Sequence, residues 1–158
     1  MTPAPRGARV RVPPPLVFLA GWLAGWALHR RLPFDIDGGG AGRTQIALGA
    51  LLVPGGLLLM GWAIATLLLS RTTLQPHGVV RQVVTTGPYR LSRNPIYLAD
   101  AAIYVGAALL LNYAWPLLLL PLVLTVLTSV VVSREEQYLR ETFGDVYDAY
   151  ARRVRRWI

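Results

Sequence analysis

Cysteine is absent from the 158-residue chain, which excludes disulfides, thiolate metal sites and cysteine nucleophiles. Charge is scarce: Asp, Glu, Lys and Arg make up 15% of the residues against 54% apolar, a balance outside the range of ordinary soluble domains. Histidine occurs only as the isolated His29 and His77, so no metal site follows from spacing, and His29 reads as an interfacial residue. No G-x-G-x-x-G follows a strand-like run, which leaves a Rossmann nucleotide site unsupported. The glycine-rich run at residues 37–44 lacks both the spacing and the lysine of a phosphate loop and reads as a flexible connection. No Ser-His-Asp arrangement is legible. The net charge of +8 points, in so apolar a chain, to anionic lipid headgroups and not to nucleic acid.

What is present is apolar sequence in long runs. Residues 12–29, 44–70 and 101–133 contain no Asp, Glu, Lys or Arg. A spanning helix needs about 20 predominantly apolar residues. In the first window three prolines, Pro13 to Pro15, confine the predicted span to residues 16–28. Arg6, Arg9 and Arg11 precede it as they would a signal peptide, but no small-residue cleavage site follows, so a retained span is the reading. The second window gives a span at 44–69, with Pro54-Gly55-Gly56 predicting a kink or a close helix contact. The third would reach roughly 50 Å as one helix, too far for a hydrocarbon core of roughly 30 Å. Asn112-Tyr113-Ala114-Trp115-Pro116 marks a turn in its middle, predicting a helical hairpin with spans at 96–111 and 115–133.

The expected fold is therefore an all-α integral membrane protein, one membrane domain over residues 1–158 with four transmembrane helices, followed by an amphipathic tail at 134–158. Arginine placement orients it. The N-terminal segment, the 71–95 connection and the tail carry three, four and six arginines, against Arg30, Arg31 and Arg43 on the other side. By the positive-inside rule both termini are cytoplasmic. In the tail, Leu139, Phe143, Val146, Tyr150, Val154 and Trp157 recur at helical steps, and Arg152, Arg153, Arg155 and Arg156 flank them, as in a helix lying on anionic lipid. Gly144-Asp145 interrupts this pattern and offers a cap to a second helical piece.

One polar concentration stands out against this background. Gly87-Pro88-Tyr89-Arg90 forms a turn, Arg93 and Asn94 follow, Pro95 opens the third span, and Tyr97 and Asp100 lie within its first turns. The hairpin returns Glu135 and Glu136 to the same membrane face. Two adjacent carboxylates at a half-buried site each need a partner, and consecutive helical residues point about 100° apart, so the two need not share a role. A pocket with both charge signs at the cytoplasmic interface suits a zwitterionic or multiply charged ligand.

Over residues 72–156, roughly half the chain, the sequence resembles the integral-membrane methyltransferases typified by isoprenylcysteine carboxyl methyltransferase, with phospholipid methyltransferases as relatives. The resemblance rests on three blocks in order: Val83-Val84-Thr85-Thr86-Gly87-Pro88-Tyr89-Arg90, then Ser92-Arg93-Asn94-Pro95-Ile96-Tyr97-Leu98, then Arg134-Glu135-Glu136 with Leu139, Phe143-Gly144, Tyr147 and Tyr150. Asn94 stands where eukaryotic members usually have His, and Ala99 at a usual Gly position, with the charge of Asp100 beside it. The resemblance implies S-adenosylmethionine as cofactor, with Arg93 and Glu136 as the residues closest to the chemistry. It implies a cofactor site made of Val83, Val84, Gly87, Tyr89, Arg90, Asn94, Pro95, Tyr97, Glu135 and Glu136. It also implies a lipidic or hydrophobic small-molecule methyl acceptor entering from the bilayer.

The residue chemistry is compatible with that cofactor. Arginine suits its carboxylate, glutamate its ammonium, and a tyrosine face or a carboxylate its sulfonium. Tyr147 and Tyr150 read as packing residues. Two other readings remain at the level of sequence: a membrane reductase using NADPH, whose known sterol-reducing representatives are much longer, and a non-catalytic scaffold held to lipid by the basic tail.

Overall fold

The computed structural model describes residues 12–70 and 82–158. Arg6, Arg9, Arg11, Arg71, His77 and Arg81, and with them the first part of the 71–95 connection, lie outside the described residues. Among the described residues the chain is helical throughout, with no strand and a single isolated bridge between Asp35 and Tyr113.

Helix α1 spans Pro14–Arg31. It begins two residues before the predicted 16–28 span, because proline in a first helical turn supplies a compatible φ and withholds only an N–H that has no helical partner there. It stops at Leu32, whose neighbour Pro33 disfavours helical backbone in the residue before it. Helix α2 spans Arg43–Leu69 and carries Pro54 inside it without ending. Helix α3 spans Pro95–Leu110, again opened by proline. Helix α4 spans Ala114–Leu127 and continues through a wide π turn, Thr128–Val132, into α5, Ser133–Phe143. Gly144, at φ +47, separates α5 from α6, Asp145–Arg153.

Two of these helices are long and apolar enough to cross a membrane: α2, and the 30-residue run Ala114–Phe143 formed by α4, the π turn and α5. The 16-residue α3 is apolar but shorter. Outward-facing residues on the long helices are large and apolar. Leu58 is 76% and Leu69 86% exposed, and Leu118, Leu122 and Val126 are exposed on α4. An apolar exterior of this extent suits hydrocarbon, not water.

Helix α2 lies against α3, and the approach is close at Gly56, where a β-carbon would stand 2.9 Å from the Ala99 carbonyl oxygen. This is the contact predicted at Pro54-Gly55-Gly56, of the small-residue kind that lets apolar helices pack through backbone. Helix α1 lies against α4, and the buried core of Phe18, Tyr104, Val123, Leu127, Val131 and Val132 fills the space between α1, α3 and α4. Tyr104 donates its hydroxyl proton to the Pro116 carbonyl at 3.0 Å, so the first turn of α4 is bonded to α3.

The break between α3 and α4 falls at Asn112, which adopts the left-handed conformation with φ 60 that asparagine tolerates better than most residues. Its buried side-chain oxygen accepts from Gln45 Nε2 at 2.9 Å and from the backbone N–H groups of Ile36 and Asp37 at 3.1 and 3.3 Å. One end of the helix assembly is thus tied by a single amide. The polar residues singled out in the sequence gather at the other end.

Candidate active site

The first wall of the site is the short 3-10 turn Gly87–Arg90. Gly87 has φ +57, and a β-carbon there would meet Thr66 Oγ1 at 2.7 Å, so both conformation and space demand glycine. Pro88 and Tyr89 behind it are buried. Tyr150 of α6 donates its hydroxyl proton to the Tyr89 carbonyl at 2.8 Å, fastening the turn to the tail.

The second wall is the start of α3. Ser92 is buried and its hydroxyl accepts from the Asn94 N–H at 3.1 Å. Asn94 does not cap α3 with its side chain; it donates Nδ2 to the Arg156 carbonyl at 2.9 Å. Ser92 Oγ donates to the same carbonyl at 3.2 Å, and the Arg93 N–H to the Arg155 carbonyl at 3.0 Å. The residues after α6 therefore lie across the entrance to α3 as a strap held by its backbone.

The third wall is the start of α5. Glu135 and Glu136 are adjacent in sequence but diverge in partners, as consecutive helical residues must. Glu136 is 5% exposed and held by two arginines. Arg156 grips it with Nε on Oε1 at 2.9 Å and Nη2 on Oε2 at 2.8 Å, and Arg93 Nη1 lies 3.3 Å from Oε1. Glu135 faces elsewhere and accepts the Tyr97 hydroxyl proton, at 2.9 and 3.1 Å from its two oxygens. Its charge also acts on the phenol of Tyr89.

Arg93 links these groups. Its Nη1 also donates to the Tyr147 hydroxyl at 3.2 Å, while its Nε is buried with no hydrogen-bond partner. Burial pushes the Tyr147 and Tyr150 hydroxyls above the ordinary phenol range, with further upward push on Tyr147 from Glu136 and on Tyr150 from Tyr147. Both therefore stay protonated near neutrality. Burial does the same to Tyr89. The hydrogen bond to Glu136 raises the Arg156 guanidinium further, so that side chain remains a cation.

Of the residues predicted from sequence, Arg93, Asn94, Pro95, Tyr97, Glu135 and Glu136 come together at the α3–α5 junction, with Gly87 and Tyr89 in the adjoining turn. Val83 and Val84 are half-buried in the segment leading into that turn. Arg90 is exposed and stands outside the bonded group. Sequence reasoning passed over the Arg156 clamp and the carbonyls of Arg155 and Arg156, since backbone acceptors leave no side-chain pattern to read. It took Tyr147 and Tyr150 for packing alone, yet their hydroxyls bond Arg93 and the turn.

The arrangement offers charge of both signs within a few residues. Two arginines against Glu136 leave a surplus positive charge and a free donor on Arg93; Glu135 leaves a carboxylate satisfied only by one phenol. No group of three or more His, Cys, Asp or Glu side chains able to hold a metal occurs among the described residues.

Among the described residues, two apolar helices of membrane-crossing length and side chains of both charge signs gathered at one end define a membrane-type helical protein. Residues 44–146 match the phospholipid methyltransferase family, and the chain belongs to that family, whose members transfer methyl groups at membranes. Comparison with curated proteins and with solved structures finds no match.

Proposed function

We propose that the protein is an integral-membrane methyltransferase that takes its methyl group from S-adenosylmethionine and delivers it to a lipidic or membrane-partitioned acceptor, in the manner of the isoprenylcysteine carboxyl methyltransferases. Two observations at the same junction carry the reading: the Nε of Arg93 is buried and unpartnered, and the Glu135 carboxylate, turned away from the arginine pair on Glu136, is bonded only to Tyr97. The donor set fits the cofactor: a guanidinium N–H for its carboxylate, a glutamate for its ammonium, and carboxylate with phenol near its sulfonium. The sulfonium supplies an activated methyl group, so what remains for the protein is positioning.

In this reading Arg93 binds the carboxylate and Glu135, oriented by Tyr97, binds the cationic end. Glu136 acts one step back, because two arginines saturate it; it holds Arg93 in place. Val83, Val84, Gly87 and Tyr89 lie along the adenosine portion, with Asn94 and Pro95 at its edge and Arg90 at the mouth. Helices α1 to α4 are the four spans, α3 and α4 forming the hairpin. Both termini are cytoplasmic, in keeping with thirteen arginines on that side against three.

Calorimetry on the protein in detergent with S-adenosylmethionine, S-adenosylhomocysteine and NADPH tests the reading. Both methionine derivatives are expected to bind, and Arg93→Ala and Glu136→Gln to weaken them. Binding of neither would overturn the proposal, and binding of NADPH alone would favour a reductase. Unchanged binding by both variants would overturn the residue assignment while leaving the class intact.

A further inference from the structure

The apolar stripe that the sequence sets along the tail is spent largely on the protein itself. Tyr147 and Tyr150 are buried, Leu139, Phe143 and Val154 are half-buried, and Trp157 packs against the core cluster. What the tail leaves outside is a different set of side chains, and it is shared with the connection before α3. Residues 89–94 and 150–156 are laced together at both ends. Tyr150 bonds the Tyr89 carbonyl at one end; at the other, the Arg155 and Arg156 carbonyls accept from Arg93, Ser92 and Asn94. Between these fastenings the exposed side chains are Arg90, Leu91, Arg152, Arg153 and Arg155, with Ile158 just beyond. Leu91 is 70% and Ile158 80% exposed. Neither stretch contains Asp or Glu. Arg93, Arg140 and Arg156 have carboxylate partners, whereas Arg90, Arg152, Arg153 and Arg155 make no ion pair among the described residues.

We propose that this two-segment face docks on the anionic headgroup layer of the membrane, and that docking holds the strap across the start of α3. The inference rests on the membrane-spanning reading of the helices and not on the methyltransferase chemistry. Charge complementarity selects the occupant: unpaired guanidinium groups beside exposed aliphatic side chains suit phosphate-bearing lipid, whose headgroups take the cations while the interface takes Leu91 and Ile158. Position agrees with charge. The strap meets the starts of α3 and α5, where the apolar helices give way to polar sequence, and tryptophan and arginine favour that level of a bilayer. The same strap carries the Arg156 clamp on Glu136 and the carbonyl that receives the Arg93 N–H. Attraction of residues 152–158 to lipid therefore keeps in place the groups that hold Arg93 and Glu136.

The test places the full chain in lipid nanodiscs of phosphatidylcholine alone or mixed with phosphatidylglycerol, with no cofactor added. The parent's Tm is expected to be higher in the anionic discs, by on the order of 5 °C at low salt, and the difference to shrink as salt screens it. Exchange of the Arg93 N–H, bonded to the Arg155 carbonyl, is expected to slow in the same discs. The triple variant Arg152→Gln, Arg153→Gln, Arg155→Gln should match the parent in phosphatidylcholine, which shows that it folds, and lose both effects in anionic discs. The triple change of the same residues to lysine keeps the charge and should keep the rise. A control that removes as much charge from the other end, Arg30→Gln, Arg31→Gln, Arg43→Gln, should keep it too. Equal Tm in the two lipids, a rise retained by the glutamine variant, or an equal loss in the control would overturn the proposal. A rise of the same size in phosphatidylcholine discs on adding a short RNA would assign the face to nucleic acid and overturn it as well. Failure of S-adenosylmethionine to bind would sink the cofactor reading and leave every one of these outcomes as it stands.

Discussion

Arg156 closes on Glu136 through two parallel hydrogen bonds of 2.9 and 2.8 Å, joining the strap after α6 to the start of α5 across 20 residues of sequence. Bidentate guanidinium–carboxylate pairs are the strong form of this contact, and here the carboxylate is buried while the arginine is partly exposed. Arg93 reaches the same carboxylate, so the site's positive charge and the strap's anchor share one acceptor.

Removing the clamp is expected to loosen the site without unfolding the helices. Arg156→Ala leaves Glu136 with Arg93 alone and should cost about 1–2 kcal/mol, near the lower end for hydrogen bonds to a buried charge because the arginine is solvent-screened. Thermal unfolding in detergent measures it, with the exposed Arg152→Ala as a control expected within about 0.5 kcal/mol of the parent. Equal Tm values for the two variants would show that the clamp contributes nothing.

Gly87→Ala should lower stability by about 1–2 kcal/mol, because a side chain at φ +57 is strained. The new β-carbon also collides with Thr66 Oγ1. The companion change Thr66→Ala relieves the collision and leaves the strain, so partial recovery of Tm in the double variant is the expected result.

At the α2–α3 contact, Gly56→Val drives a branched side chain into the Ala99 carbonyl and Ile103. Overpacking of this kind costs about 1–3 kcal/mol or more. Gly55→Val, which meets open space, should be nearly silent in the same unfolding assay.

The Tyr97–Glu135 pair predicts coupling. Tyr97→Phe withdraws the hydroxyl donor of a half-buried carboxylate, a loss of about 1–3 kcal/mol, and should weaken S-adenosylmethionine binding on the order of tenfold. Glu135→Gln should weaken it as well. The double variant is expected to lose less than the sum of the two, and strict additivity in calorimetry would argue that the two side chains act independently.

Much of the helix order was legible because its signals are local. Charge-free windows, prolines at helix starts and a turn at Asn112 mark the apolar helices to within a few residues, and a chain with so little charge has few other ways to satisfy its backbone. The α3–α5 juxtaposition of Arg93 and Glu136 could be anticipated only by letting the chain turn back at Asn112. What escaped the sequence is long-range and written in backbone. The Arg155 and Arg156 carbonyls receive bonds from Arg93, Ser92 and Asn94 across more than sixty residues, and any residue type could have supplied those acceptors. The divergence of Glu135 from Glu136 followed from helical geometry, yet which of them would meet the arginines did not.

The π turn at Thr128–Val132 has a consequence for how this helix tolerates change in length. A wide turn houses one residue more than a regular α-helical turn of the same reach, so the segment behaves as slack. Deleting a single residue within 128–132 would let the helix close up into regular geometry with the two glutamates keeping their phase relative to α3. The same deletion within α4 would swing both carboxylates by about 100° and uncouple Glu135 from Tyr97. Insertions and deletions along this helix therefore have one site where they are absorbed, placed immediately ahead of the charged residues whose direction matters most.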